Sequence, residues 1–298
     1  MGTILTAGET MAMLTPRTAQ PVLEAQEFRL EAGGAESNVA VHVAALGHHA
    51  HWFSRLGADE LGTRILHQLA RNGVIVDHVV LDAVRPTGLY VKSPGIGVSY
   101  YRRGSAASAL DAKDVESMPL TAADVVHVSG ITAALSASAR AFLDAVFTRA
   151  RSEGIPISFD VNYRAPLWPV SDAAPVLRAL AERADIVFVG RDEAETLWGC
   201  FTADEVHELL PDVPELVVKD GSVGAWSTVR GQSVFISSHR VEVVEPVGAG
   251  DAFSGGYLAA LLDGASVADR LRAGHDRAAL VLGTTADFIE ERTERTKT

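Results

Sequence analysis

Short runs of aliphatic and β-branched residues alternate along this chain with longer stretches in which apolar side chains recur every three or four positions. Ile4–Thr6 opens the pattern as a strand. Ser37–Leu46 reads as a helix, with Val39, His42, Val43 and Leu46 on one face and Gly47 as its stop. Ala50–Arg55 returns to strand, and Glu60–Asn72 reads as a helix capped by Asp59 with Gly73 behind it. Strands are predicted near Asp124–Ser129, Ile155–Asp160, Asp185–Val189 and Leu216–Lys219. Helices at Ser138–Ser152, Asp172–Ala184 and Asp192–Trp198 separate them, and Ala252–Leu262 and Val267–Leu282 close the series. Strand–helix alternation at this interval predicts an α/β fold whose mostly parallel sheet is covered on both faces.

Two stretches break the rhythm. Met11–Leu30 and Val84–Arg103 show strand alternation with no helix between. The second reads as a hairpin, Thr87–Ser93 and Val98–Arg103 joined by a turn at Pro94-Gly95-Ile96-Gly97. Together they predict a small antiparallel β lid, residues 11–32 and 84–103, on a main α/β domain formed by 1–10, 33–83 and 104–298. The charged tail Glu290–Thr298 is expected to fray.

Composition narrows the partners. A chain of 298 residues, 47% hydrophobic, can bury one large core. Its 26 basic and 38 acidic residues give a net charge of −12, which argues against general binding to nucleic acid or an anionic membrane. An anionic ligand must therefore be met by a local concentration of Arg, Lys and backbone N–H groups. No apolar stretch approaches the length of a membrane span, and Met1–Thr10 has neither the basic region nor the long apolar segment of a secretory signal. Cys200 is the sole cysteine, so it reads as a small packing residue, and a cytoplasmic location is expected. His48, His49 and His51 have no Cys or carboxylate nearby at ligand spacing, and read as loop residues entering a strand.

Candidate chemistry concentrates in five segments. In Gly248-Ala249-Gly250-Asp251, two glycines allow a sharp turn with exposed N–H groups at the start of a helix. Orphan donors and the positive end of the helix dipole attract an anion there, and Asp251 could take a proton from a group attacking that anion. Phosphoryl transfer to a hydroxyl fits; a plain loop–helix junction is the alternative. Gly33-Gly34-Ala35-Glu36-Ser37-Asn38 permits close approach of a ligand to backbone, with Asn38 able to donate to and accept from a sugar hydroxyl, although a bare helix entry would look the same. In the hairpin, Tyr100 and Arg102 share one face and Tyr90 on the partner strand could join them. Two phenols and a guanidinium suit a small polyhydroxy carboxylate; arginines that discourage edge pairing are the equal alternative. Asp160-Val161-Asn162-Tyr163-Arg164 follows a strand, where open α/β sheets gather ligands. Lys219 to Gly224, with Gly221 inside, forms a turn of the kind that approaches nucleotides. No G-x-x-x-x-G-K-[ST] loop and no protein-kinase signature is present.

Taken together, these segments resemble the ribokinase-like (PfkB) family of sugar kinases over essentially the whole chain. Gly33-Gly34-Ala35…Asn38 and Pro246-Val247-Gly248-Ala249-Gly250-Asp251-Ala252-Phe253 look like that family's two signatures. Within it, Tyr100 to Ala106, Ser129-Gly130-Ile131-Thr132 and Asp160 to Arg164 are most similar to members that phosphorylate 2-keto-3-deoxygluconate. The resemblance implies a three-layer sandwich with a β lid and ATP-dependent phosphorylation of the C6 hydroxyl of that keto sugar acid, with Mg²⁺; a fructokinase or other neutral-sugar kinase of the family, and a non-catalytic sugar-binding protein on the same scaffold, are the alternatives. It implies Asp251 as base, with Gly248, Ala249 and Gly250 as the anion hole. Gly34, Asn38, Tyr90, Tyr100, Arg102, Arg164 and Asp287 would hold substrate, and Asn162, Arg164, Lys219, Gly221 and Gly224 would lie along the nucleotide. Many members carry an N-x-x-E motif; here the asparagine position is Gly190, so Glu193 is expected to act on Mg²⁺ through water. A homo-oligomer joined through lid edges is also implied.

Overall fold

The computed structural model describes residues 1–18, 20–93 and 95–284. From β1 (Thr3–Ala7) the chain passes through β2 (Met11–Pro16) and β3 (Phe28–Gly33) into α1 (Ala35–Ala45). Then come β4 (His49–Phe53), β5 (Arg55–Gly57), α2 (Glu60–Arg71), β6 (Val74–Ile75), β7 (Val80–Asp82) and the hairpin of β8 (Leu89–Ser93) and β9 (Gly97–Tyr101). Short 3-10 turns lead to β10 (Val125–Ser129), α3 (Gly130–Leu135), α4 (Ala137–Glu153), β11 (Ile157–Asp160) and α5 (Val170–Ala181). The remainder is β12 (Ile186–Gly190), α6 (Arg191–Trp198), α7 (Ala203–Leu209), β13 (Glu215–Asp220), β14 (Gly224–Val229), β15 (Gln232–Ser237), α8 (Ala249–Leu262) and α9 (Val267–Leu282).

Nine strands form the central sheet in the order β15-β14-β13-β12-β11-β10-β1-β4-β6. It is parallel from β6 to β13, and β14 and β15 add an antiparallel edge. Successive side chains within a strand go to different layers. Ile4, Val125, Ile186, Phe188 and Val217 pack with α1, α8 and α9, whereas Leu5, Val126, Val187, Val189, Leu216 and Val218 pack with the α4–α7 side. The near-continuous apolar runs of the sequence thus belong to strands buried on both faces. Cys200 is buried, as a packing residue should be. Among the described residues, no helix is long and apolar enough to cross a membrane.

The second sheet, β3-β2-β8-β9, departs from expectation in one respect. It is mixed, not antiparallel: β2 and β8 run parallel, with Met13 opposite Tyr90. A long crossover through α1 to β7 separates them, and such a connection returns the chain in the same direction. The hairpin itself is as expected, with Tyr90 opposite Tyr100, but shorter at both outer ends. Thr87 is drawn off by Asp59, which accepts from its N–H and its hydroxyl at 2.8 Å each. Arg102 turns to Glu9. Pro94 of the expected turn lies outside the described residues. The β14–β15 hairpin was not expected; its alternation sits around Arg230-Gly231, where both residues have positive φ.

β1 neighbours β4 on one side and β10 on the other, so the chain order reverses there. Ligands of open α/β sheets collect at such a reversal, beyond the carboxyl ends of the strands. Glu9, Asp160, Gly190 and Lys219 stand at or just past the ends of β1, β11, β12 and β13.

Candidate active site

The start of α8 is set by Gly248, whose φ of +88° places it in the left-handed region and turns the chain into the helix. The helix begins at Ala249, three residues earlier than the periodicity predicted, because small residues carry no apolar signal. Ala249 N–H donates to the Pro246 carbonyl at 3.3 Å, and Ala252 N–H to the Gly248 carbonyl at 2.9 Å. The N–H groups of Gly250 and Asp251 have no protein acceptor among the described residues. These donors remain for an anion, whereas Ala249 of the expected anion hole is used internally and does not line the cavity.

Asn38 Nδ2 donates to Asp251 Oδ2 at 2.8 Å. Burial raises the Asp251 pKa to about 7; Asn38, the Arg164 charge and Lys219 pull it down, and the Asp160 carboxylate pushes it up. A carboxyl group titrating there is suited to accept a proton near neutrality. Asn38 is held one turn into α1 by the Gly33-Gly34 entry, where a Cβ on Gly34 would collide with the Glu9 carbonyl and with Thr10. Its Oδ1 is buried and has no hydrogen-bond partner among the described residues, leaving an acceptor beside Asp251.

A cation stands on the other side. Lys219 Nζ donates to Asp160 Oδ2 at 2.8 Å and lies 3.7 Å from where a Cβ on Gly250 would be. Burial works against its charge, but Asp160, Glu193 and Asp251 outweigh burial and raise its pKa. Ser254 Oγ, from the next turn of α8, donates to the same Asp160 oxygen at 3.2 Å. Asn162 adopts φ +40°, an uncommon conformation for a residue with a side chain, and its Oδ1 is buried without a partner among the described residues.

Glu193 accepts from Tyr163 N–H at 2.8 Å and from Gly190 N–H at 2.7 Å, closing the start of α6. Burial, then the Asp160 charge, raises its pKa. Both oxygens hold a backbone donor and each keeps a further acceptor site. The glycine at 190 also has a local reason: a Cβ there would meet Asp192 Oδ1 at 2.6 Å and Glu193 Oε2 at 3.1 Å. Among the described residues, no group of three or more His, Cys, Asp or Glu side chains could hold a metal ion. Mg²⁺ commonly leans on waters and substrate phosphates, so this donor set is compatible with it.

One cavity of about 720 Å³ gathers Gly34, Asn38, Tyr90, Tyr100, Arg102, Asn162, Arg164, Glu193, Lys219, Gly221, Gly248, Gly250 and Asp251. The Tyr90 and Tyr100 rings lie 5.8 Å apart, and the Arg102 guanidinium is 5.6 Å from the Tyr100 ring centre. Arg102 is already paired with Glu9, its Nε donating to Oε2 at 2.6 Å. Arg164 is exposed, donates to its neighbour Tyr163's carbonyl at 3.2 Å, and projects its charge onto Asp251. Gly224 is elsewhere: it pairs with Ser237 in the β14–β15 ladder, and a Cβ would strike the Ile236 carbonyl and the Phe235 ring. The ladder accounts for a glycine there, and it does not line this cavity. Asp287 lies outside the described residues.

Sequence reasoning singled out neither Glu9 nor Ser254, and took Asp160 only as part of a segment. A signal for Glu9 existed: Gly8-Glu9-Thr10 is a polar cluster directly after an apolar strand. Ser254 had none, since one serine in an apolar helix reads as filler.

The chain matches the family described as "pfkB family carbohydrate kinase" over residues 1–289. A 2-dehydro-3-deoxygluconokinase of Bacillus subtilis (strain 168) is 37% identical over 295 residues, covering 95% of this chain and 90% of that one. A 2-dehydro-3-deoxygalactonokinase of Haloferax volcanii is 31% identical over 317 residues, covering 98% and 95%. Among solved structures, a PfkB protein from Polaromonas sp. JS666 superposes with a TM-score of 0.87 at 33% identity, covering 96% of this chain and 98% of that one.

Proposed function

We infer substrate and chemistry from one premise: the chain belongs to the pfkB family of carbohydrate kinases. The reading the site supports best is ATP-dependent phosphorylation of 2-keto-3-deoxygluconate (2-dehydro-3-deoxygluconate) at its C6 hydroxyl. The observation that carries it is the cavity in which an Asp251 carboxyl with a pKa of about 7 and two free N–H donors share space with two phenols and two guanidinium groups. A neutral sugar makes little use of Arg102 beside Tyr90 and Tyr100, whereas a keto acid offers that guanidinium a carboxylate.

Asp251 takes the proton of the attacking hydroxyl, with Asn38 holding one carboxylate oxygen so that the other faces the cavity. The N–H groups of Gly250 and Asp251, with Lys219 beside them, meet the negative charge at the point of transfer. When bound, ATP with Mg²⁺ supplies the phosphoryl group and partly neutralises its charge. Arg102 receives the substrate carboxylate at the hairpin end, with Tyr90 and Tyr100 against the carbon chain. Arg164, close enough to bias Asp251, serves the phosphate side, the nucleotide role of the two the resemblance implied for it. The small sheet covers the sugar as a lid and keeps water from the transfer.

Incubation with ATP, Mg²⁺ and 2-keto-3-deoxygluconate, followed by phosphorus NMR of the product, tests this reading. A phosphate ester on C6 is expected; ADP formation without a sugar phosphate, or phosphate at another carbon, would refute it. The name of the Haloferax relative makes the C4 epimer the second acid to assay.

A further inference from the structure

Arg102 does not stand alone in the cavity. Glu9, in the link between β1 and β2, presents a carboxylate whose side chain is fully buried. Its Oε2 accepts from Arg102 Nε at 2.6 Å and also pairs with Nη2, while its Oε1 accepts from Ser105 Oγ at 2.5 Å. Glu9 thus grips both ends of the stretch 102–105 that follows the hairpin. Its own backbone is pinned in turn, because its carbonyl fills the space that a Cβ on Gly34 would need. Arg102 has five N–H donors in a rigid plane. Glu9 takes one edge of that plane, and Nη1 has no acceptor among the described residues. Both Glu9 and Arg102 line the cavity.

An arginine just past a hairpin strand has many rotamers, and a carboxylate ligand selects among them only at an entropic cost. We propose that Glu9 is a positioning residue for substrate choice, locking the Arg102 guanidinium so that its remaining donor edge meets the carboxylate of a sugar acid. The proposal rests on the reading of Arg102 as the carboxylate's partner. It also assigns the preference for acids to geometry more than to net charge, since the Glu9–Arg102 pair is neutral overall.

The test is steady-state kinetics of the purified kinase with 2-keto-3-deoxygluconate and ATP varied separately. Glu9→Ala is expected to raise the KM for the acid about tenfold, with kcat and the KM for ATP within about threefold of wild type. Glu9→Gln keeps an oxygen for Arg102 and can donate to Ser105, so it should return that KM to within about threefold of wild type. Ser105→Ala, which loosens Glu9 without leaving a charge unpaired, should raise the acid KM about threefold and carries the test if Glu9→Ala does not fold. An unmoved acid KM in the folded variants, an equal rise in both KM values, or failure of glutamine to rescue would overturn the proposal. Arg102→Ala separates the two levels. If it leaves the acid KM unchanged, the reading of Arg102 itself fails; if it raises that KM while the Glu9 and Ser105 variants do not, only the role of Glu9 fails.

Discussion

Replacing Asp251 with asparagine is the sharpest perturbation available, because the side chain keeps its shape and its oxygen can still accept from Asn38. What disappears is the ability to take a proton. General-base catalysis contributes about 10²–10⁴ in rate, so kcat should fall by that order at pH 8 while the KM for the sugar acid moves little. The pKa of about 7 adds a second handle. The reactive carboxylate form of the wild type rises from about a tenth of molecules at pH 6 to about nine-tenths at pH 8. Wild-type kcat/KM should therefore climb about tenfold across that interval and then level off, while the asparagine variant stays flat. The variant's deficit accordingly shrinks about tenfold at pH 6. A coupled assay of ADP release over pH 5.5 to 9 reads both quantities.

Stability supplies the control. A carboxyl group whose native pKa is raised favours the native state only while protonated, so its contribution is lost as pH rises from the ordinary 3.8 through about 7. Asparagine has no such loss. The Tm of Asp251→Asn relative to wild type should thus increase from pH 5 to pH 8, which excludes unfolding as the cause of inactivity. A variant with kcat within about threefold of wild type at pH 8, or a deficit that does not change with pH, would remove Asp251 as the base.

Other expectations follow from single contacts. Lys219→Met leaves the Asp160 carboxylate, 4% exposed, without its cation. Breaking such a pair costs about 3–5 kcal/mol, and Asp160→Asn in the same chain should restore most of it; additive losses by thermal or urea unfolding would contradict the pairing. Gly248→Ala forces a side chain to φ +88° and should cost about 1–2 kcal/mol while misaligning the Gly250 and Asp251 N–H groups. A variant with unchanged Tm and kcat would show that this turn is not required.

Much of the architecture was readable because the strands are buried on both faces and so appear as dense aliphatic runs, as in Ile186–Val189 and Leu216–Val218. The mixed character of the small sheet was not, since alternation marks a strand but carries no direction. Gly250, Asp251, Asn38 and Lys219 were legible because glycine pairs and polar residues beyond strand ends have few other uses there. Gly224 shows the ambiguity of that signal: a glycine needed for φ +153° beside Ile236 looks identical in sequence to one needed beside a ligand. Glu9 escaped notice because its partners, Arg102 and Ser105, are more than 90 positions away, and only the fold brings them together.

The central claim is that this cavity selects a sugar acid for transfer at Asp251. Side-by-side kcat/KM for 2-keto-3-deoxygluconate and fructose, with ATP and Mg²⁺ held constant, tests it most directly. Hydrogen bonds from the remaining edge of Arg102 to a carboxylate are worth about 1.5–3 kcal/mol, so the acid should be preferred by at least about tenfold. Fructose used as well as the acid, or better, would contradict the account.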